Sequence, residues 1–232
     1  MALIRYPEGQ QRSGRAGGTV YAHNRGGPYI RSASIPVNPQ TSLQNAVRGY
    51  LTSLANAWHS VLTQAQRDAW DQYAANVPVT NRLGMLIYLT GQNQYIRSNV
   101  PRLQAGLPVV DDGITNYEEA PGMVDLTGTA SEATQLVTVS WGGWQTWESQ
   151  DDAAMLVKLG IPQNQSRKFF GGPWRYADAI LGDSTTPASS PAILTSSPYI
   201  FVEGHRLWIE ARVTMPDGRL GTAQRHDFLS AA

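Results

Sequence analysis

Cysteine is absent from this 232-residue chain, so no disulfide framework and no thiolate metal site can form, and the redox compartment stays open. Lysine is scarce, with two against sixteen arginines. Guanidinium groups make planar, bidentate contacts to carboxylates and phosphates, which suits interfaces, although GC-biased coding would give the same imbalance. Long apolar runs are missing too. The longest, Met85 to Leu89, is far too short to span a bilayer, and the opening MALIRYPEGQ has no apolar core of the kind a secretory signal needs. A soluble protein with no membrane partner is expected.

Catalytic signatures are equally sparse. His23, His59, His205 and His226 stand singly, in none of the spacings that hold zinc. His226-Asp227 has no G-x-S-x-G elbow to complete a triad. The GRAGGT stretch at Gly14–Thr19 lacks the lysine and the spacing of a phosphate loop. Asp111-Asp112 and Asp151-Asp152 read as solvated turn residues. The expectation is a protein that is no enzyme, with no catalytic, cofactor-binding or metal-binding residues.

What is present is an uneven charge distribution. The formal net charge is zero, yet residues 1–50 carry six arginines against Glu8, while residues 106–232 carry eight bases against fifteen acids. A basic front and an acidic back fit head-to-tail contacts between neighbours or an acidic partner. From Arg12 to Arg48 there is no acid at all, and glycines pair at Gly17-Gly18 and Gly26-Gly27. Tyr21, Tyr29 and Ile30 fall at spacings that suit neither a helix face nor a good strand. Glycine frees the backbone to lie close along another surface. Residues 1–39 are therefore expected to form an extended Arg/Gly-rich arm, with Arg12, Arg15, Tyr21, Arg25, Tyr29 and Arg31 as partner-binding residues.

The pattern G-R-x-G-G-x-V-x-x-x-N-R-x-G-x-Y-x-R from Gly14 to Arg31, followed by P-x-N-P-x-T-x-x-Q from Pro36 to Gln44, resembles uncharacterised proteins of tailed-phage and prophage structural regions. The similarity continues through Trp58, Leu62–Trp70 and Leu89–Asn99, covers roughly the first 110 residues and then fades. The resemblance implies a virion part, assembled in the host cytoplasm, and brings no chemistry with it.

Along the chain, Pro36-Val37-Asn38-Pro39 closes the arm. Thr41 with Gln44 predicts a helix start, and Leu43, Val47, Tyr50, Leu51, Leu54, Trp58 and Leu62 make one apolar stripe behind it. Thr63 with Gln66 starts a second helix, with Trp70, Tyr73 and Ala74 on one side and Arg67 and Asp71 spaced as an i,i+4 pair. A third begins near Gly91 with Thr90 as cap, is disturbed by Pro101 and exits through Gly106. A helical domain is thus expected over 40–108 and an acidic, turn-rich linker over 109–122.

Beyond the linker the period changes to two. Gln135–Trp141, Ala153–Ile161, Tyr199–Val202, Arg206–Met215 and Leu220–Phe228 read as strands, the last two joined by a Pro216–Arg219 turn. Residues 123–232 are expected to form an antiparallel β-sandwich whose closing hairpin resembles fibronectin type III or Ig-like modules. The fold class is therefore a multi-domain α+β chain. Trp141 and Trp208 suit the sandwich core. Trp144 and Trp147 flank a glycine-bearing loop and are expected to bind a neighbouring subunit, with a glycan as the competing partner. Nucleic acid competes for the arm, but the arm has no lysine and no helix carries a basic stripe. The expected function is a capsid-associated decoration or cement protein contacting the major capsid protein, other virion proteins and copies of itself. A tail, connector or baseplate component and a carbohydrate-binding attachment module are the alternatives.

Overall fold

Thr41 and Thr63 start two helices by the same chemistry. Ahead of α1, Ser42–Ser60, the Thr41 hydroxyl accepts from the Gln44 amide at 3.3 Å. Ahead of α2, Gln64–Asn76, the Thr63 hydroxyl accepts from the Gln66 amide, and the Gln66 side chain accepts from the Thr63 amide. Two amides that a helix start would leave unpaired are thereby satisfied. A computed structural model of the protein describes residues 2–3, 12–34, 38, 40–81, 83–118, 120–195 and 197–232. Arg5 and the prolines of the expected arm-closing turn lie outside these residues.

Leu54, Trp58 and Leu62 bury the C-terminal half of the α1 stripe, whereas Leu43 and Leu51 at its front are exposed. On α2, Trp70, Tyr73 and Ala74 are all buried. Arg67 does not take the expected partner. It donates to the carbonyls of Trp58 (3.1 Å) and Leu62 (2.6 Å), filling acceptors at the end of α1. The Asp71 carboxylate instead accepts from the Gly91 amide at 2.9 Å. There the Thr90 hydroxyl caps α3, Gly91–Gln104, by accepting from Asn93 at 3.3 Å. The helix continues through Pro101. It ends where Gly106 takes a φ of +76°, with the Leu107 amide bonded to the Arg102 carbonyl and the Gly106 amide to that of Leu103. This is the paired closure that a left-handed glycine permits.

The chain divides into two compact units, Met1–Arg97 with Asp111–Tyr117, and Ser98–Val110 with Glu118–Ala232. The boundary falls inside α3, and the stretch expected as a linker, 109–122, is shared between the units. In the first, Tyr95 packs against Trp58 and Trp70 with ring centroids 5.8 and 5.6 Å away. The Trp70 indole donates to the Asp111 carbonyl (3.0 Å) and the Tyr95 hydroxyl to the Asp111 carboxylate (2.9 Å). Burial first, and the Asp111 carboxylate second, push the Tyr95 phenol well above its ordinary pKa.

The N-terminal segment is also in this unit, and it is not an extended arm. Ala2–Leu3 (β1), Gly14–Ala16 (β2), Thr19–Asn24 (β3) and Gly27–Ser32 (β4) form an antiparallel sheet in the order β1-β4-β3-β2. The glycines act as turn residues between strands, so Tyr21 and Ile30 fall opposite one another in a ladder. A short hairpin, Val79–Thr80 (β5) with Leu86–Ile87 (β6), completes the unit's strands among the described residues.

The second unit holds two facing sheets. One is ordered β10-β9-β12-β13, from Ala154–Gly160 (β9), Trp174–Leu181 (β10), Arg206–Thr214 (β12) and Gln224–Leu229 (β13). The other is ordered β11-β8-β7, from Thr127–Ser131 (β7), Leu136–Ser140 (β8) and Ala192–Ile193 (β11). Alternate residues, Met155, Val157 and Leu159 on β9 and Leu207, Ile209, Ala211 and Val213 on β12, meet Val137 and Val139 of β8 in one core. The segment Tyr199–Val202, expected as a strand, has no strand structure.

The α3 tail belongs to this unit through Arg102, which is 1% exposed. Its guanidinium donates to the carbonyls of Pro108 (2.9 Å), Asp152 (3.0 Å) and Met215 (2.7 Å). Arg102→Met should leave these acceptors without that donor and cost about 3 kcal/mol or more, since each buried acceptor left unsatisfied costs about 1–3 kcal/mol. Trp70→Ala should cost about 3–5 kcal/mol. Urea titrations followed by tryptophan fluorescence and by far-UV circular dichroism check both; a midpoint equal to wild type would contradict the assigned packing.

Candidate interaction surface

Cross-strand registers decide which arginines share a face. Arg15 of β2 pairs with Val20 of β3, and Val20 pairs with Arg31 of β4. The three side chains therefore stand in one row on one face. Strands lie about 4.8 Å apart, so the Cα atoms of Arg15 and Arg31 are about 10 Å from each other, on either side of Val20. Ala22 and Tyr29, paired two residues along, extend the same face. The opposite face carries Tyr21 and Ile30, paired across β3 and β4. Arg12 belongs with it, its guanidinium 6.0 Å from the centre of the Tyr21 ring, a cation–π distance. Arg25 sits apart, exposed in the β3–β4 turn. The six N-terminal residues expected to bind a partner thus sort into three places.

No described residue from Arg12 to Ser34 is buried; each is exposed or half-buried, and the segment contains no acid. Among the described residues, none of its four arginines forms a salt bridge. Arg15 Nε donates to the Gly17 carbonyl at 3.1 Å, which holds the side chain along its own turn. A two- to four-stranded ribbon is stable when an apolar face is packed against something. Here Val20, Ala22 and Tyr29 form such a face, half-buried, between the exposed Arg15 and Arg31. Among the described residues, the ribbon meets the rest of its unit at Gly26, whose carbonyl accepts from the Asn81 side-chain amide at 3.4 Å and beside which the Ile87 side chain lies.

Trp144 and Trp147 do not act together. Trp144 is 66% exposed, as a partner-binding residue requires, but Trp147 is completely buried. The 3-10 turn Thr146–Ser149 rotates Trp147 into the core, 5.6 Å from Trp141 between ring centroids. Trp147 is therefore a packing residue and cannot reach a neighbouring subunit. The Trp141 indole donates to the buried Glu148 carboxylate at 2.5 Å, fixing the start of the same turn.

A second polar feature escapes a reading of the sequence. Tyr176, Lys158, Glu210 and Arg225 align in one row across β10, β9, β12 and β13, on the face of that sheet away from the core. Glu210 is buried between Lys158 (3.2 Å) and Arg225 (2.8 Å). Burial drives its pKa upward, but the hydrogen bonds and charges of Arg225 and Lys158 outweigh this and hold the carboxyl below its ordinary value. Beside the row, Gly160 leaves a gap for the Phe170 ring, which packs between Trp174 and Trp208 with centroids 5.1 and 6.0 Å away. A Cβ on Gly160 would lie 2.5 Å from Phe170 Cε1, so the glycine is required for this packing. Only the 2-residue alternation of β9, β10 and β12 could have hinted at these rows, and a bulge between Tyr176 and Asp178 breaks it in β10.

Among the described residues, no group of three or more His, Asp or Glu could hold a metal ion. Among the same residues, no helix is long and apolar enough to cross a membrane. No protein-family model matches the chain, and no curated protein matches it. Among solved structures it is similar to an Fn3-like protein from Clostridium thermocellum, with a TM-score of 0.30 and 12% identity, covering 48% of this chain and 93% of that one.

Two outcomes check this geometry. Trp147→Ala should cost about 3–5 kcal/mol, whereas Trp144→Ala should stay within about 0.5 kcal/mol of wild type. Glu210, with its pKa lowered on folding, contributes stability that is full above the ordinary glutamate pKa and is lost as pH falls through the folded value. The stability gap between wild type and Glu210→Gln should therefore be widest near about pH 7 and narrow towards about pH 3. Urea denaturation at both pH values measures it, and a gap that widens in acid would contradict the ion-paired carboxylate.

Proposed function

We propose that this chain is a non-catalytic structural component of a tailed-phage particle, a capsid-associated decoration or cement protein whose N-terminal β-ribbon binds neighbouring subunits. One observation carries the reading: the strands β2, β3 and β4, rich in arginine and devoid of acid between Arg12 and Ser34, in which no residue from 12 to 34 is buried. An apolar face of this kind gains stability when a neighbour covers it, because burial returns about 25 cal/mol for each Å² removed from water. The resemblance of Gly14–Arg31 and Pro36–Gln44 to proteins of phage structural regions supports the virion as the setting. The second unit, with three strands facing four, is assigned to the fibronectin type III or Ig-like sandwich class as part of this proposal. Its neighbours in the particle are the major capsid protein and further copies of the chain.

The test is incorporation. Particles assembled with tagged wild-type chain should contain it in hundreds of copies on the head, and a copy number of a dozen or fewer would move the assignment to a tail or connector. Arg15→Ala/Arg25→Ala/Arg31→Ala should be excluded from particles while keeping the wild-type melting transition of the second unit. Quantitative mass spectrometry of purified particles reads both, and absence of the wild-type chain from them would end the particle reading.

A further inference from the structure

We infer that the Arg15–Val20–Arg31 row is a docking surface for the acidic second unit of another copy of this chain, giving head-to-tail self-association. The inference rests on the reading that the β-ribbon faces a partner, and it names that partner. Three observations lead to it.

The row is built as an interface core with a charged rim. Val20, continued by Ala22 and Tyr29, supplies the apolar centre, and two guanidiniums stand on either side of it. Specific protein interfaces share this anatomy, with desolvated apolar contacts inside and polar groups around them. Arg12 and Arg25 are not part of it, one lying over Tyr21 on the opposite face and the other at the turn.

The row has no carboxylate partner in its own segment, and the chain as a whole supplies the complement. The unit that contains the ribbon holds nine arginines and five acids, and the other unit holds nine bases and thirteen acids. The two units therefore differ in sign and match in magnitude. A second copy is thus an occupant of the right charge, present wherever the protein is. A contact between two unlike surfaces of identical chains is heterologous, so it propagates to a ring or a filament instead of stopping at a symmetric dimer.

The apolar centre also separates a protein from a polyanion. Nucleic-acid binding gains from the density of phosphate contacts and released counterions. Two charges flanking Val20 and Ala22 give a sugar–phosphate chain little to neutralise, and such a chain has no apolar group to set against the part of Val20, Ala22 and Tyr29 that stays accessible.

Sedimentation velocity of the intact chain over a wide concentration range tests the inference. In low salt the weight-average mass should rise with concentration beyond that of a dimer. It should return towards the monomer in high salt, where the screening length falls to about 3 Å at 1 M. Arg15→Ala/Arg31→Ala should weaken association by about tenfold or more, the effect of about 1.4 kcal/mol, with Arg25→Ala within about twofold of wild type. Arg15→Lys/Arg31→Lys should fall between, since lysine keeps the charge and loses the fork. A wild-type chain that stays monomeric in low salt, association indifferent to Arg15 and Arg31, or tighter binding of a random-sequence DNA duplex through the same two arginines would each overturn the inference. A monomeric chain that still enters particles would do so without touching the proposed function, and a chain that self-associates but is absent from particles would do the reverse.

Discussion

A guanidinium stripped of water ties the tail of α3 into the second unit. Arg102 gives up its hydration and receives three backbone carbonyls, those of Pro108, Asp152 and Met215. Burial pushes its pKa down, and the carboxylates of Asp152 and Asp217 offset part of that. The three acceptors come from stretches far apart in sequence: the exit of α3, the approach to β9 and the turn after β12. Arginine suits all three because its guanidinium presents several donors in a fixed plane. The helix tail is thereby part of the sheet unit, and Asn99 reinforces it by exchanging two hydrogen bonds with the Val110 backbone at 3.0 and 2.8 Å.

The two units build their cores differently. The second closes on itself, with apolar residues of facing sheets inside and Glu210, Lys158 and Arg225 satisfying one another outside. The first builds a compact aromatic knot from Trp58, Trp70, Tyr73 and Tyr95 and stops there. Leu43, Leu51, Leu86 and Tyr88 stay exposed, and so does much of the ribbon. Scattered apolar residues on a surface mean little, but three paired strands, β2, β3 and β4, without a buried residue are unusual for a stable fold.

The helices were legible because their signals are local. A threonine followed three residues later by glutamine, and a left-handed glycine at the exit, act within one turn of chain. Strand β8 was legible because one buried face imposes alternation, and β9 and β12 because burial on both faces leaves nearly continuous apolar runs of strand length. The ribbon was missed for the complementary reason: neither face is buried, so nothing forces Val20 and Tyr21 to differ in polarity. In β10, the bulge after Tyr176 shifts the alternation out of phase. Trp147 looked like Trp144 because a 3-10 turn, not a strand, decides which of them points inward. Arg102 had no sequence signature at all, since its partners are backbone carbonyls that every residue possesses.

The arginines of the ribbon also govern what it does not bind. An open sheet edge invites a second identical edge to pair with it, and β2 is such an edge. Two ribbons meeting through the Val20 face would bring Arg15 and Arg31 of each copy together, and two meeting at the β2 edge would bring Arg15 of each together, with no acid between them; like charges in a desolvated contact are strongly repelled. The symmetric pairing is therefore penalised by the same residues that favour an acidic surface. Discrimination of this sort comes from repulsion as much as from attraction. Arginine, more weakly hydrated than lysine, exerts both effects at a lower cost of desolvation. In the head-to-tail contact proposed above, the absence of acid and of lysine from Arg12 to Arg48 would serve both ends, disfavouring like against like and favouring a carboxylate-bearing partner.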